Sequence, residues 1–485
     1  MAALFEIFKT GQRNDLLKYT EMISKATIES PMQKHLENSG TVRKFKAKLA
    51  QRIGLILLIP KFQSWRYTIQ HKNLFNNLNQ SEIKIVEENK TSKKEIIENE
   101  IKDEEINYEI DFNLLEVIID HLLMNLMDKE YIVRWSCAKG LGRLCERLSK
   151  AMVEDIYLNL FKLFEDEENE YSWQGACLCI AELCKRGMIL PDKLEILIPF
   201  LEKALIFEVN KGTFCSGSNV RDSACYVVWA LARAYQSKIM QPYVGKLSKS
   251  LILVILFDKE VNCRRAASAA FQEHVGRQGY FPHGIEIITE ADYFTLGNKN
   301  YCFLSIAPFI SQFSDYFFNI IDFLAYNRLF HVEILIRQVS AETLGILANF
   351  NKDYIIDVVL KKLLELSVSN SLIVRHGSLL GIGYILVGLR GKWDFENKAK
   401  IIRKKIQEGL CLNETKILED SDYRKKFEIF YSSIKYKNNM VVINENQSTK
   451  NEILSIIERI DKKNLYRGKG AELMRTAVRK NIFYF

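Results

Sequence analysis

A chain of 485 residues with 48% hydrophobic and 26% charged residues, but only 7 prolines and 23 glycines, is too poor in turn-formers for a string of small β-domains. Its net charge of +8 is a mild imbalance between 68 basic and 60 acidic groups, with much of the excess in the lysine-rich C-terminal part, and no basic stripe interleaved with aromatics stands out; nucleic-acid binding is not expected. No secretory signal opens the chain, and no uninterrupted apolar run of about 18 residues is found, so no membrane span is expected.

The first residues are already amphipathic, from Ala2 through Phe8, with no cap before them. A second helix is predicted from Val42 to Leu58, opening on Val42-Arg43. These elements make a helical segment 1–75, followed by a Glu-, Lys-, Asn- and Ile-rich insertion, 76–110, expected to be disordered. From 111 to 390 a regular pattern takes over. A longer helix, typified by Leu114–Met127, leads through a short turn with an acidic residue into a second helix rich in small residues.

That second helix usually opens on an apolar–arginine pair. Arg134, Arg221, Arg264, Arg337 and Arg375 occupy the position, and Gln174 stands in for arginine once. The intervals are 40, 47, 43, 73 and 38 residues, and the long one halves if Asn300-Tyr301-Cys302-Phe303 opens an atypical unit. A period of about 40–47 residues is that of HEAT and armadillo arrays. The expected fold is therefore all-α, an α-solenoid of about 7–9 such units. The arginine column reads as a structural ladder between repeats, each arginine bonding an acidic residue of the neighbouring turn, as with Asp128 near Arg134 and Asp258 near Arg264.

Past the array, 391–450 is a Lys/Asn-rich insertion and 451–485 reads as a terminal helical repeat. Neither end of the chain shows the polar-faced cap that closes an array, so the chain is expected to be part of a longer one.

Chemistry-bearing motifs are scarce. Ten cysteines lack framework or zinc-knuckle spacing and sit among alanines and leucines, which suits reduced core thiols. The seven histidines form no HExxH or spaced Cys/His set, and Gly381-Ile382-Gly383 lacks the third glycine and the preceding strand of a dinucleotide site. Glu290, Asp292 and His283 invite an acid–base reading, but no nucleophile accompanies them. No catalytic residue, metal or cofactor is expected, and the chain reads as a non-enzyme.

One stretch departs from the repeat. The helix from Val261 to Val275 is expected to end at Gly276 and Gly279, with Pro282 opposing its resumption. After it comes an exposed-looking connector dense in aromatic and polar residues. Arg277, Phe281, His283, Asp292, Tyr293 and Phe294 are the candidate partner contacts, because loops on rigid scaffolds often carry binding residues. On the plainer reading, His274 and Arg277 interact with the last carbonyls of that helix.

Four long stretches carry a family likeness: Val133 to Arg143, Asn219 to Tyr235, Asn262 to Gly279 with its continuation through Phe294, and Leu465 to Arg475. In them the sequence resembles the tubulin-folding cofactor D family of tubulin-specific chaperones. The resemblance implies a HEAT-rich scaffold that acts after the chaperonin and captures β-tubulin. With cofactors C and E and an Arf-like small GTPase, such a scaffold assembles or dismantles the α/β-tubulin heterodimer, and the complex stimulates GTP hydrolysis by tubulin. It also implies a cytoplasmic protein associated with the microtubule cytoskeleton. The competing reading is an unrelated HEAT-repeat adaptor of the nuclear-transport or vesicle-coat type.

Overall fold

The computed structural model describes residues 1–29, 38–68 and 111–389, with positions 455, 472–474 and 477. The predicted insertions 76–110 and 391–450, and nearly all of the terminal segment 451–485, lie outside the described residues. The fold is all-α, an α-solenoid of armadillo/HEAT-type helix pairs. It divides into two compact units, Met1–Ala204 with Asn219–Tyr243, and Leu205–Ser218 with Val244–Phe485.

In the first unit the longer helices are α1 (Ala2–Thr10), α2 (Gly40–Leu57), α3 (Phe112–Met124), α4 (Tyr131–Cys145), α5 (Lys150–Lys162), α6 (Glu170–Lys185), α7 (Leu194–Leu205) and α8 (Ser218–Ala234). Short polar side chains set the starts of α3, α5 and α6. Asp111 accepts from the Leu114 amide at 3.0 Å, and Asn169 accepts from Tyr171 and Ser172 at 3.2 Å, satisfying amides that have no partner inside the helix. Small residues then let helices close on one another. At Gly175 a Cβ would stand 2.0 Å from the Leu126 carbonyl oxygen, so only glycine fits there. Helix α6 is buried on every side from Ser172 to Cys184. Its apolar positions therefore show no amphipathic stripe, unlike those of a surface helix.

The second unit contains α9 (Val244–Phe257), α10 (Val261–Gln278), α11 (Gly284–Glu290), α12 (Ser314–Tyr326), α13 (Ile334–Leu347) and α14 (Leu372–Leu389). Helix α9 packs on α10, α12 on α13, and the helical run 352–366 on α14. The suspected atypical unit is a helical run, 299–310, with a π-turn over Cys302–Ile306. Helices α13 and α14 approach closely. A Cβ on Gly388 would lie 1.9 Å from the Gly345 carbonyl, and one on Gly377 would lie 1.9 Å from that of Leu329.

Beside the helices stands a small antiparallel ladder, β1 (Val209–Asn210) with β2 (Cys215–Ser216), closed by a turn at Gly212 with φ +87°. One expectation needs correction: the apolar stretches were underestimated. Ser237–Phe257 and Leu372–Leu389 are long and apolar enough to span a membrane by length and composition. Both are mostly buried within the protein, as core helices are. The nine described cysteines are all buried and none of them forms a disulfide, and burial pushes the Cys145, Cys177 and Cys302 thiols up to about 12.

Candidate partner-binding site

Helix α10 runs three residues past its expected end, through Gly276, and stops where Gly279 adopts φ +70° and its amide bonds the His274 carbonyl at 3.3 Å. The segment beyond is fastened rather than loose. From α10, Arg264 donates to the carbonyls of Leu296 (2.9 Å) and Gly297 (3.3 Å), Arg265 to that of Tyr293 (3.1 Å), and Ser268 to that of Ala291 (3.0 Å). Tyr316 of α12 donates to the Pro282 carbonyl at 2.9 Å. The connector is thus a short helix and turns stapled at both ends, with Ile287 and Leu296 buried beneath it.

The six candidate residues separate. Phe281, expected to be exposed, is only 5% exposed: its ring stacks on His274 at 4.7 Å and meets the edge of Phe271 at 4.9 Å. The same stacking occupies the His274 ring that was assigned to the helix end. Asp292 shapes its own turn, accepting from the Phe294 and Thr295 amides at 2.9 and 2.7 Å. Arg277 pairs with Glu273 one turn back. His283, at φ +52°, stacks on Phe313 at 4.0 Å, and its nitrogens lie 3.9 Å from Glu286 and 3.8 Å from Asp315. The acid–base grouping of His283 with Asp292 is therefore not assembled. Tyr293 and Phe294 do reach solvent. Phe294 is 77% exposed and meets Tyr293 edge-on, while Arg265 lies 3.8 Å over the Tyr293 ring. Ile285 and Tyr280 are also exposed on the same segment.

The arginine ladder has a geometry the sequence reading did not give. All five members, Arg134, Arg221, Arg264, Arg337 and Arg375, are buried. For four of them the partners in the preceding turn are main-chain carbonyls, not carboxylates. Arg264 donates to Asp258 O (2.8 Å), Arg337 to His331 O (2.6 Å) and Arg375 to Ser369 O (2.7 Å), and Arg134 donates to Asp128 O. In each case the acceptor stands six residues before the arginine. Its side chain turns the other way, to the amide two residues on: Glu130 N to Asp128 at 2.7 Å, Glu260 N to Asp258 at 2.8 Å, Glu333 N to His331 at 3.0 Å and Ser371 N to Ser369 at 3.3 Å. The arginines also reach forward, Arg134 to Gln174 and Arg337 to His376 Nδ1 at 3.1 Å. The Asp128 carboxylate is held by Arg43 of α2, at 2.6 and 3.0 Å. These bonds satisfy the terminal guanidinium nitrogens and the turn carbonyls together, which helps make buried guanidinium groups tolerable, although Nε of Arg134 and of Arg375 has no partner among the described residues.

The first unit carries a further feature, a row of basic and aromatic residues that the sequence reading did not single out. Lys44, Lys48 and Arg52 follow one another at four-residue steps on α2, and Tyr131, Trp135, Lys139 and Arg143 do the same on α4. Lys48 lies 5.4 Å from the Phe5 ring and 5.7 Å from that of Phe45. Trp135 bridges to Tyr226 of α8 at 5.5 Å, and Tyr226 stacks on Trp229 at 5.9 Å. Lys139, Lys185 and Arg233 cover the Trp135, Tyr226 and Trp229 rings at 4.6, 5.6 and 4.6 Å. The four-residue spacing was readable, but its alignment across helices separated by many residues was not.

One group of potential metal ligands occurs in the second unit, where Glu208, Cys215 and His331 place their donor atoms within 4.8 Å of one another. The donor set does not fit an ion. His331 Nδ1 accepts the Glu333 amide, so Nε2 keeps its proton, whereas a ligating Nε2 needs that proton on Nδ1. Glu208 is also held by Arg328 at 2.7 Å. The Glu208–Arg328 ion pair, with the neutral His331 ring beside it, fastens the β1–β2 turn to the turn before α13.

Comparison with known proteins places the architecture in a family. The profile described as "Tubulin-specific chaperone D-like, ARM repeats" matches residues 41–285. The chain is 37% identical over 406 residues to "Tubulin-specific chaperone D" of Dictyostelium discoideum, covering 82% of this chain and 27% of that protein. It is 27% identical over 403 residues to "Tubulin-folding cofactor D" of Schizosaccharomyces pombe, covering 80% of this chain and 34% of that protein. The chain thus spans about a quarter to a third of the length of these curated relatives. Among solved structures, a crystal structure of importin beta aligns over 99% of this chain and 55% of its own length, with a TM-score of 0.37 and 13% identity. With a family match over half its length, this chain belongs to the tubulin-specific chaperone D family.

Proposed function

We propose that this chain is a tubulin-binding part of a tubulin-folding cofactor, a non-catalytic scaffold that holds β-tubulin during folding and during assembly or disassembly of the α/β heterodimer. The observation that carries the reading is the extended sequence match to chaperone D relatives, which runs through the repeats and not through a single motif. Cofactors C and E, an Arf-like small GTPase and a GTPase-activating effect of the joint complex belong to the same proposal, as does a cytoplasmic place beside microtubules. A repeat scaffold suits the task because many modest contacts spread over stacked units can favour one state of a client over another. Within the second unit, Tyr293 and Phe294 are the proposed client contacts, since they are exposed aromatics held on a stapled segment.

The test is capture of purified α/β-tubulin by the immobilised chain, with crosslinking to identify the subunit touched. Capture through β-tubulin, weakened at least fivefold by joint Tyr293→Ala and Phe294→Ala replacement, is the expected result. Absence of capture, both by this chain and by the longer family member that contains it, would refute the proposal.

A further inference from the structure

We infer that the face formed by α1, α2, α4, α6 and α8 of the first unit is a docking site for an extended acidic polypeptide segment. The inference goes beyond the tubulin reading, because it names a ligand chemistry that holds whatever the client is.

The face collects more positive charge than its own carboxylates balance. Lys44, Lys48, Lys139 and Arg143 form no ion pair among the described residues. Lys48 sits among like charges from Lys44, Lys9 and Arg143, and Arg52 is likewise opposed by Arg143. Arg52 Nε is buried without a hydrogen-bond partner among the described residues. Of the nearby acids, Glu6 is already paired with Lys9, and Glu182 is buried against Arg186, Lys185 and the Tyr226 hydroxyl. A fold gains nothing by gathering unpaired cations, since like charges this close repel. A ligand bearing several carboxylates relieves that repulsion and supplies the missing acceptors.

The aromatic rings decide between ligand classes. Trp135, Tyr226 and Trp229 are engaged by one another and by Lys139, Lys185 and Arg233. They hold the cations in place but offer no open platform of the kind on which successive bases stack. An extended peptide, with side chains alternating along a strand-like backbone, needs only the cations and the flat ring edges between them. The observations favour a Glu/Asp-rich peptide over a single-stranded nucleic acid.

The probe is a fluorescein-labelled peptide of twelve glutamates, titrated with the full chain by fluorescence anisotropy, beside a labelled dodecathymidine and a twelve-lysine peptide. The variant Lys48→Gln/Lys139→Gln/Arg143→Gln removes three charges while keeping part of each apolar stem. Its control, Lys193→Gln/Lys203→Gln/Lys361→Gln, removes the same charge elsewhere. Saturable binding of the glutamate peptide is expected, weakened tenfold or more in the first variant and less than twofold in the control, with both melting as the parent does. The inference is overturned by absence of binding, by equal weakening in both variants, or by tighter binding of the oligonucleotide. It is also overturned if the peptide binds only after deletion of residues 76–110, which would assign the face to the chain's own acidic stretch. Tubulin capture is not used as a readout, so failure here leaves the proposed function to its own test.

Discussion

The buried arginine ladder and the cationic face of α2 and α4 use the same kind of charge in opposite ways. Arg134 has a fixed backbone acceptor and a fixed side-chain acceptor and is almost wholly out of water, while Arg143, nine residues along the same helix, has neither. A guanidinium group whose two terminal nitrogens both meet acceptors inside the fold is part of the fold. One left without them is available to something else. Satisfaction of hydrogen bonds, more than charge or position in the repeat, separates the two.

That contrast is broken most directly by removing the satisfied cation. Arg134→Ala leaves the Asp128 carbonyl and the Gln174 amide without their donor and is expected to cost about 4 kcal/mol, whereas Arg143→Gln should stay within about 0.5 kcal/mol; paired thermal and urea unfolding curves would show the difference. Next in size is Gly377→Ala, which drives a Cβ onto the Leu329 carbonyl. A loss of about 3 kcal/mol is expected, and a melting temperature within a degree of the parent would mean that α14 can shift away from that turn. Acid sharpens the comparison differently. Burial, reinforced by Lys46, lowers the pKa of His121 to about 4, while the unfolded chain keeps the ordinary value near 6.5. Between these values the unfolded state binds the extra proton, so stability is complete above pH 6.5 and falls as the pH drops towards 4. His121→Gln should therefore remove about 2 kcal/mol of the acid loss, seen as a flatter plot of melting temperature against pH. Smallest of all, Tyr293→Ala with Phe294→Ala should change stability by less than about 0.5 kcal/mol, because Phe294 buries little and the turn is shaped by Asp292. A larger loss would move that pair from the binding surface into the structure.

The repeat itself was legible because its signals are local. Apolar spacing, the small residues after each arginine and the turns between helices all fall within one period. The ladder's position was legible too, but its chemistry was not. Asp128 and Asp258 invite a carboxylate reading, and only the structure shows that arginine takes their carbonyls while their side chains close the next turn. Phe281 was misread for a related reason. A phenylalanine beside Pro282 in a polar stretch gives no sign of whether it faces the solvent or His274. Trp135 and Tyr226, 91 positions apart, could be joined only by folding the helices between them.

The turn residue of the ladder has a consequence for how such arrays diversify. What the arginine recognises at that position is a carbonyl oxygen, which every amino acid possesses. Asp, His and Ser already fill the role at Asp128, Asp258, His331 and Ser369, each adding an acceptor for the amide two residues on. The turn can therefore drift in sequence while its partner stays fixed. A saturation library should show this as asymmetry: broad tolerance at Ser369 and almost none at Arg375. The variable turns would then be free to acquire new surface chemistry without loosening the stack that carries them.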